Sequence, residues 1–246
     1  LSPAEKALLE RVSLLVHRQD EMYVPFRAAH YLGVGLSALR NIESALSRCA
    51  QAGSVRTILD LPCGHGRVLR FLRERFPDAA ITAVDLDRSG LEFCGRAFAV
   101  QTAPSSPDFD TLSLQGRFDL IWCGSLVTHL DEAAATSLLR FFQRHLEAGG
   151  TCVFTAHGAY SAAALRKGEA GFGLTPQAQQ SLLAGFERTG YGFAAYPDQR
   201  GYGISMVTPE RMRALAGGIG GWNETFMAER GWDNHQDVYA FCRSGA

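Results

Sequence analysis

The amino-acid sequence predicts an α/β domain built on a doubly wound, mostly parallel sheet, and three observations carry that prediction. Four short runs, 57–61, 80–86, 118–123 and 151–155, are apolar almost throughout and do not alternate. Parallel strands covered on both faces read that way. Segments with apolar residues at helical spacing separate the runs, which makes right-handed crossover units. A turn containing Gly64 and Gly66 joins the first run to the helix after it. Glycines there let a ligand approach the backbone in front of a helix N-terminus.

The elements follow in order. Ser2, Pro3 and Glu5 form a capping box, and Leu8, Val12, Leu15 and Val16 continue at helical spacing, so a first helix is expected to about residue 18. A second helix is expected over 26–50, with Leu32, Leu36, Leu39, Ile42 and Leu46 on one face and Gly53-Ser54 closing it. Between the strand runs, helices are expected around Val68, Leu69, Leu72 and Phe76, over 89–98, and over 131–147. After His157 the rhythm breaks. A helical stretch near 176–188 precedes two strand-like pieces, 191–196 and 202–207, joined by Pro197-Asp198-Gln199-Arg200-Gly201, a turn signal. Thr208-Pro209-Glu210 opens another helix, and 224–229 and 237–243 are the last strand candidates. No repeat or linker divides the chain. One domain is expected, with a helical cap over 1–53, a core over 54–157, an inserted lid over 158–207, and a closing helix and hairpin over 208–246.

Composition narrows the function classes. Among 246 residues, 46% are hydrophobic and 20% charged, with 25 acidic against 24 basic side chains and a net charge of −1. A general nucleic-acid binder needs a basic footprint, so no nucleic-acid partner is expected. Cys49, Cys63, Cys94, Cys123, Cys152 and Cys242 form no C-x-x-C pair, and several sit in apolar runs, where a thiol acts as a small buried hydrophobe. A reduced, cytoplasmic protein without disulfides is expected. The seven histidines lack zinc-ligand spacing, so no metal is expected. No apolar stretch approaches about 18 residues, so no membrane partner is expected. Nothing in the sequence fixes an oligomeric state.

Two acids sharpen the meaning of the turn. Asp60 ends the first strand just before it, and Asp85 ends the next strand, where a carboxylate is placed to accept from ribose hydroxyls. A dinucleotide fingerprint needs a third glycine where Leu69 stands, and pyrophosphate sits poorly beside Asp60. An acid before the loop suits a ligand that carries an amino group and little negative charge, as the methionine moiety of S-adenosylmethionine does. The pattern Asp60-x-x-x-Gly64-x-Gly66, followed by Asp85, resembles the class I S-adenosylmethionine-dependent methyltransferases. Residues 118–130 look like that family's fourth strand and its turn, and 146–154 like its fifth strand after two glycines. The final strand pair is similar to its closing hairpin. Pro62 departs from the pattern, standing where the family usually has its first loop glycine.

The resemblance implies a Rossmann-like, seven-stranded sheet with an antiparallel last strand, and S-adenosylmethionine as cofactor. The residues it places at the cofactor are Asp60, Pro62, Gly64, Gly66, Arg67, Asp85, Leu86, Ser105, Cys123, Gly124, Ser125, Leu126 and His129. Asp60 could instead cap the helix or pair with Arg67, and Ser106, Asp108 and Asp110 compete with Ser105 for the adenine side. Asp119 is expected to anchor a turn with Arg117. His157, at the end of the fifth strand, is the first candidate for a general base, while His129 reads equally as a base and as a support for its loop. His30, Tyr31, Tyr160, Tyr202 and His235 are the candidates for acceptor contact. The expected activity is methyl transfer to a small molecule, with oxygen preferred. The rival expectations are a catalytically silent S-adenosylmethionine binder acting as sensor or partner subunit, and an NAD-type oxidoreductase.

Overall fold

The computed structural model describes residues 1–49, 54–197, 199 and 201–245. Five parallel strands, β1 (Thr57–Asp60), β2 (Ala80–Asp85), β3 (Gln101–Pro104), β4 (Phe118–Cys123) and β5 (Leu146–Ala156), form the body of the sheet. A separate hairpin, β6 (Tyr191–Ala195) with β7 (Gly203–Val207), lies outside it. β8 (Trp222–Trp232) and β9 (Gln236–Arg243) complete the sheet in the order β3-β2-β1-β4-β5-β9-β8. β9 pairs antiparallel with both neighbours, so it is the one reversed strand of the seven. The sequence predicts this architecture, except for β3. That strand is a short edge piece with little burial, so it carries no apolar run to announce it.

Alternate residues along each strand serve two cores, as the pleat requires. Ile58, Leu120, Val153 and Val238 face α2 (Ala28–Leu46), α3 (Leu69–Arg75) and α4 (Arg88–Phe98). Leu59, Ile121, Cys152 and Tyr239 face α5 (Glu132–His145) and, later in the chain, α8 (Pro209–Ile219). Between them in sequence come α6 (Ala159–Arg166) and α7 (Pro176–Thr189), which pack with the β6–β7 hairpin around a small core of Leu165, Leu182, Phe186, Ile204 and Met206. Strand order reverses between β1 and β4. In an open α/β sheet the crevice at the carboxyl ends of such strands is where ligands bind.

Three expectations need correction here. The first helix, α1 (Pro3–Arg11), stops well before residue 18. Residues 12–27 form a non-helical strap with three turns instead, and the buried guanidinium of Arg70 holds its first part: Arg70 donates to Ser13 O at 2.7 Å and Leu15 O at 2.9 Å. The same side chain donates to Gly66 O at 3.0 Å and to the Tyr31 hydroxyl at 3.1 Å, tying strap, glycine turn and α2 together. Second, Cys49 and Cys242 are joined by a disulfide across 193 positions; Cys63, Cys94, Cys123 and Cys152 are free and buried as expected. Third, Asp119 does not pair with Arg117. It accepts from the Arg56 and Thr57 amides at 2.8 and 2.9 Å and so fixes the start of β1. α2 ends at Leu46, and the expected Gly53 stop lies outside the described residues, as do Asp198 and Arg200 of the hairpin turn. Among the described residues no helix is long and apolar enough to cross a membrane.

Arg70→Leu is expected to lower unfolding free energy by about 3 kcal/mol, since it leaves several buried acceptors unpaired at roughly 1–3 kcal/mol each. The denaturant midpoint measures it.

Candidate functional site

A cavity of about 1140 Å³ opens at the carboxyl ends of β1, β2 and β4. Small-ligand sites are usually about 300–1,000 Å³, so this one has room for a nucleoside-sized molecule and a second reactant. Its floor is the turn between β1 and α3. Gly64 and Gly66 have φ of +50° and +80°, the left-handed region that glycine enters without penalty. At Gly66 a Cβ would stand 2.3 Å from the Phe98 ring. Gly64 lines the cavity, whereas Gly66 does not; it shapes the turn from below.

The two acids behave differently. Asp85 is satisfied: its Oδ2 accepts from the Gly64 amide at 2.7 Å and its Oδ1 from the Asp87 amide at 2.9 Å. It therefore clamps the glycine turn to the end of β2 and still faces the cavity. Asp60 is 1% exposed, and neither carboxylate oxygen has a hydrogen-bond partner among the described residues. Burial, and then the nearby Asp85 charge, push its pKa well above the usual carboxylate range. It neither caps a helix nor pairs with Arg67. Arg67 is the only Lys or Arg lining the cavity among the described residues, and it makes no ion pair or side-chain hydrogen bond there. Its guanidinium lies 5.4 Å from the Trp232 ring centre, and burial lowers its pKa. A guanidinium without an ion pair and a carboxyl group without a hydrogen-bond partner thus share one wall.

The wall after β4 is held by a polar network. Ser125 sits at φ +61°, an uncommon place for a residue with a Cβ. Its amide donates to Thr155 Oγ1 at 2.8 Å, Thr155 donates to Gln236 Oε1 at 2.6 Å, and Gln236 donates back to Ser125 Oγ at 3.0 Å. This ring joins the ends of β4, β5 and β9 and presents Gly124, Ser125 and Leu126 to the cavity. Trp122 and Trp232 meet edge to face at 5.5 Å beside Gly124, and Trp232 Nε1 donates to Val34 O at 2.9 Å. Pro62, Leu86, Ser105 and Ser106 also line the cavity. Cys123 does not: it is fully buried, and burial pushes its thiol pKa up.

His129 lies on a short 3-10 turn (Val127–His129) that the β6–β7 hairpin grips at three points. Ser205 Oγ donates to Val127 O at 2.7 Å, Tyr191 Oη donates to Leu130 O at 2.9 Å, and His129 Nδ1 lies 2.8 Å from Gly203 O. Tyr202 stacks on the imidazole at 4.8 Å and 18°, and both rings line the cavity. The hairpin is therefore part of the cavity wall.

The remaining candidates lie elsewhere. His157 is absent from the cavity lining. It is buried 5.2 Å from both the Phe172 and His235 rings, Nδ1 has no partner, and burial with the neighbouring His235 takes its pKa down to about 3. Tyr160 and His235 pack in that same aromatic group, with Arg230 4.1 Å over the Tyr160 ring. Tyr31 is buried and donates to Asp20 Oδ2 at 2.6 Å, so it supports the strap from behind. His30 sits 3.7 Å from Asp233 at a separate, smaller hollow. The strap reaches the cavity through Gln19, Asp20, Glu21 and Met22 instead. Nothing in the spacing of those four residues signals this, because the contact depends on Arg70. Among the described residues no His, Cys, Asp or Glu group could hold a metal ion.

Comparison with known proteins agrees with this arrangement. Residues 58–150 match the family described as methyltransferase domain. A malonyl-[acyl-carrier protein] O-methyltransferase from Priestia megaterium is 28% identical over 102 residues, covering 41% of this chain and only 36% of the relative. An amino pentose methyltransferase from Micromonospora echinaspora, solved with S-adenosylmethionine bound, aligns over 93% of this chain and 100% of its own, with a TM-score of 0.59 and 16% identity. Magnesium protoporphyrin IX methyltransferase from Synechocystis, solved with S-adenosylhomocysteine, aligns over 98% and 95%, with a TM-score of 0.56 and 12% identity. At such identities the two structures speak for the fold, and the sequence match over β1 to β5 speaks for the family. Residues 58–150 thus match a methyltransferase domain, and the fold is similar to that of solved S-adenosylmethionine-dependent methyltransferases.

Proposed function

We propose that this protein transfers a methyl group from S-adenosylmethionine to a small-molecule acceptor, with oxygen the preferred nucleophile. The observation that carries the reading is Asp60, a buried carboxylate with no partner among the described residues, in a cavity that Arg67 also lines without one. Buried polar groups of this kind are costly to leave unpartnered, and a ligand that matches them offsets that cost. An α-amino acid end group brings both an ammonium for Asp60 and a carboxylate for Arg67. Asp85 is the partner for ribose hydroxyls, and Ser105, Ser106 and Leu126 flank the place left for the base. The donor set fits the cofactor.

When bound, S-adenosylmethionine supplies a methyl carbon already activated by the sulfonium, so the protein's task is alignment and exclusion of water. The strap residues Asp20 and Met22 and the hairpin residue Tyr202 close the cavity from two sides. We take 158–207 as the lid that completes the acceptor compartment. Gly124-Ser125-Leu126 after β4 replaces the Asn-Pro-Pro-Tyr type of loop that serves amino-group methylation of nucleic-acid bases. With the near-neutral charge, this favours a small acceptor.

The test is turnover with methyl-labelled cofactor across a panel of sugars, phenols and fatty acids. Label on a hydroxyl or carboxyl product, with S-adenosylhomocysteine formed in equal amount, is the expected result. Cofactor binding with no transfer to any member would favour the silent binder.

A further inference from the structure

We propose that His17 and His65 are positioning residues: their stacked rings latch the strap onto the glycine turn and set the rate at which the cofactor enters and its product leaves. This rests on S-adenosylmethionine as the cofactor. The strap forms one wall of the cavity through residues 19–22. It is anchored at two points. Arg70 holds the Ser13 and Leu15 carbonyls, and Tyr31 Oη donates to Asp20 Oδ2 at 2.6 Å. Arg70 and Tyr31 are 1% and 2% exposed, so both anchors are shielded from water.

Between the anchors the backbone is not tied to the rest of the protein. Among the described residues, the hydrogen bonds of 16–19 are local ones: the Gln19 amide donates to His17 Nδ1 at 3.4 Å and the Asp20 amide to His17 O at 3.0 Å. The link to the body of the protein is the His17 ring. It stacks on His65 with centroids 4.8 Å apart and planes 9° from parallel, and tilts against Phe93 at 5.3 Å. His65 is a fixed platform. It stands in the glycine turn between Gly64 and Gly66, is 8% exposed, and its Nε2 lies 3.2 Å from Ser89 Oγ and 3.6 Å from Asp87 Oδ2 at the start of α4. The residue before it, Gly64, is the one that Asp85 clamps. The strap is thus pinned, ring on ring, to the turn on which the cofactor is proposed to lie.

His65 lines the cavity and His17 does not. The latch therefore holds equally with the cofactor bound or absent. Weakening it raises the open fraction of the strap in both cases, so association and dissociation quicken together while the equilibrium between them is kept. An aromatic pair of this kind shifts an equilibrium by about 2–10-fold. Loss of a residue that merely shapes the site has another signature, faster dissociation and weaker binding at an unchanged association rate.

Stopped-flow binding of S-adenosylhomocysteine, followed by the fluorescence of Trp122 and Trp232 in the cavity wall, reads both rate constants. His17→Ala is expected to raise each by about 2–10-fold and to leave Kd within about twofold of the parent. His17→Phe keeps a ring face for His65 and should stay within about twofold of the parent in both rates. In a His65→Ala background, His17→Ala should add less than about twofold, because the partner ring is already gone. Trypsin cleavage after the exposed Arg18, without added cofactor, should quicken in His17→Ala by about the same 2–10-fold. Parent-like rates in His17→Ala, alanine-like rates in His17→Phe, or a raised Kd with an unchanged association rate overturn the proposal. If the parent binds no S-adenosylhomocysteine, it is the methyltransferase reading that fails. The trypsin comparison still decides the latch, and equal cleavage of parent and His17→Ala overturns it.

Discussion

Asp60→Asn should weaken S-adenosylhomocysteine binding by about 10–100-fold while leaving the ligand-free protein at least as stable as the parent. The two effects have one origin. In the free protein the carboxylate is buried with neither oxygen partnered, and its pKa is raised well above the usual range by burial and by Asp85. An amide of the same shape removes the charge, and relief of an unmatched buried group is worth on the order of 1 kcal/mol. In the complex the balance reverses, because a charge-assisted hydrogen bond is worth about 1.5–3 kcal/mol and the amide cannot supply it. Since the folded pKa lies above the unfolded one, Asp60 adds stability at low pH. That contribution is lost as pH rises through the raised folded value. Denaturant titrations across this range should show the slope in the parent and its loss in Asp60→Asn. Calorimetry supplies the affinity.

Asp85→Ala is expected to be more damaging. It removes the acceptor for the Gly64 and Asp87 amides, at 2.7 and 2.9 Å, as well as the carboxylate proposed for the ribose. Without the clamp the glycine turn loosens, so cofactor affinity should fall by about 100-fold or more, equivalent to about 3 kcal/mol. Unfolding free energy should also fall by about 1–2 kcal/mol. Asp85→Asn keeps one acceptor oxygen and should lie between parent and alanine on both scales. Equal affinity in the parent and Asp85→Ala would remove Asp85 from the ribose.

The contrast between the two acids shows what a sequence can carry. The buried parallel strands and the cavity's position are legible as apolar runs and a glycine turn, since burial on both faces leaves a one-dimensional trace in the chain, while the reversed last strand is what the family resemblance implies. Asp60 and Asp85 are legible for the same reason, each ending a run. What escapes the sequence depends on contacts between distant segments. Arg70 reads as one more helix arginine, yet its bonds to Ser13 and Leu15 hold the first part of the strap that lines the cavity. His157 is the sequence's first choice of base, yet Phe172 packs over it away from the cavity, while His129, held against Gly203, lines the cavity. β3 left no trace because an exposed edge strand needs no apolar side chains. Cys49 and Cys242 are 193 positions apart, with no spacing rule to connect them.

The most direct test is calorimetric titration of the unaltered chain with S-adenosylhomocysteine, with NAD run in parallel. One site per chain with affinity in the micromolar range, and no heat from NAD, is the result the cavity predicts. No binding of S-adenosylhomocysteine at high micromolar concentration, or binding of NAD in its place, would contradict the assignment of Asp60, Arg67 and Asp85 to this cofactor.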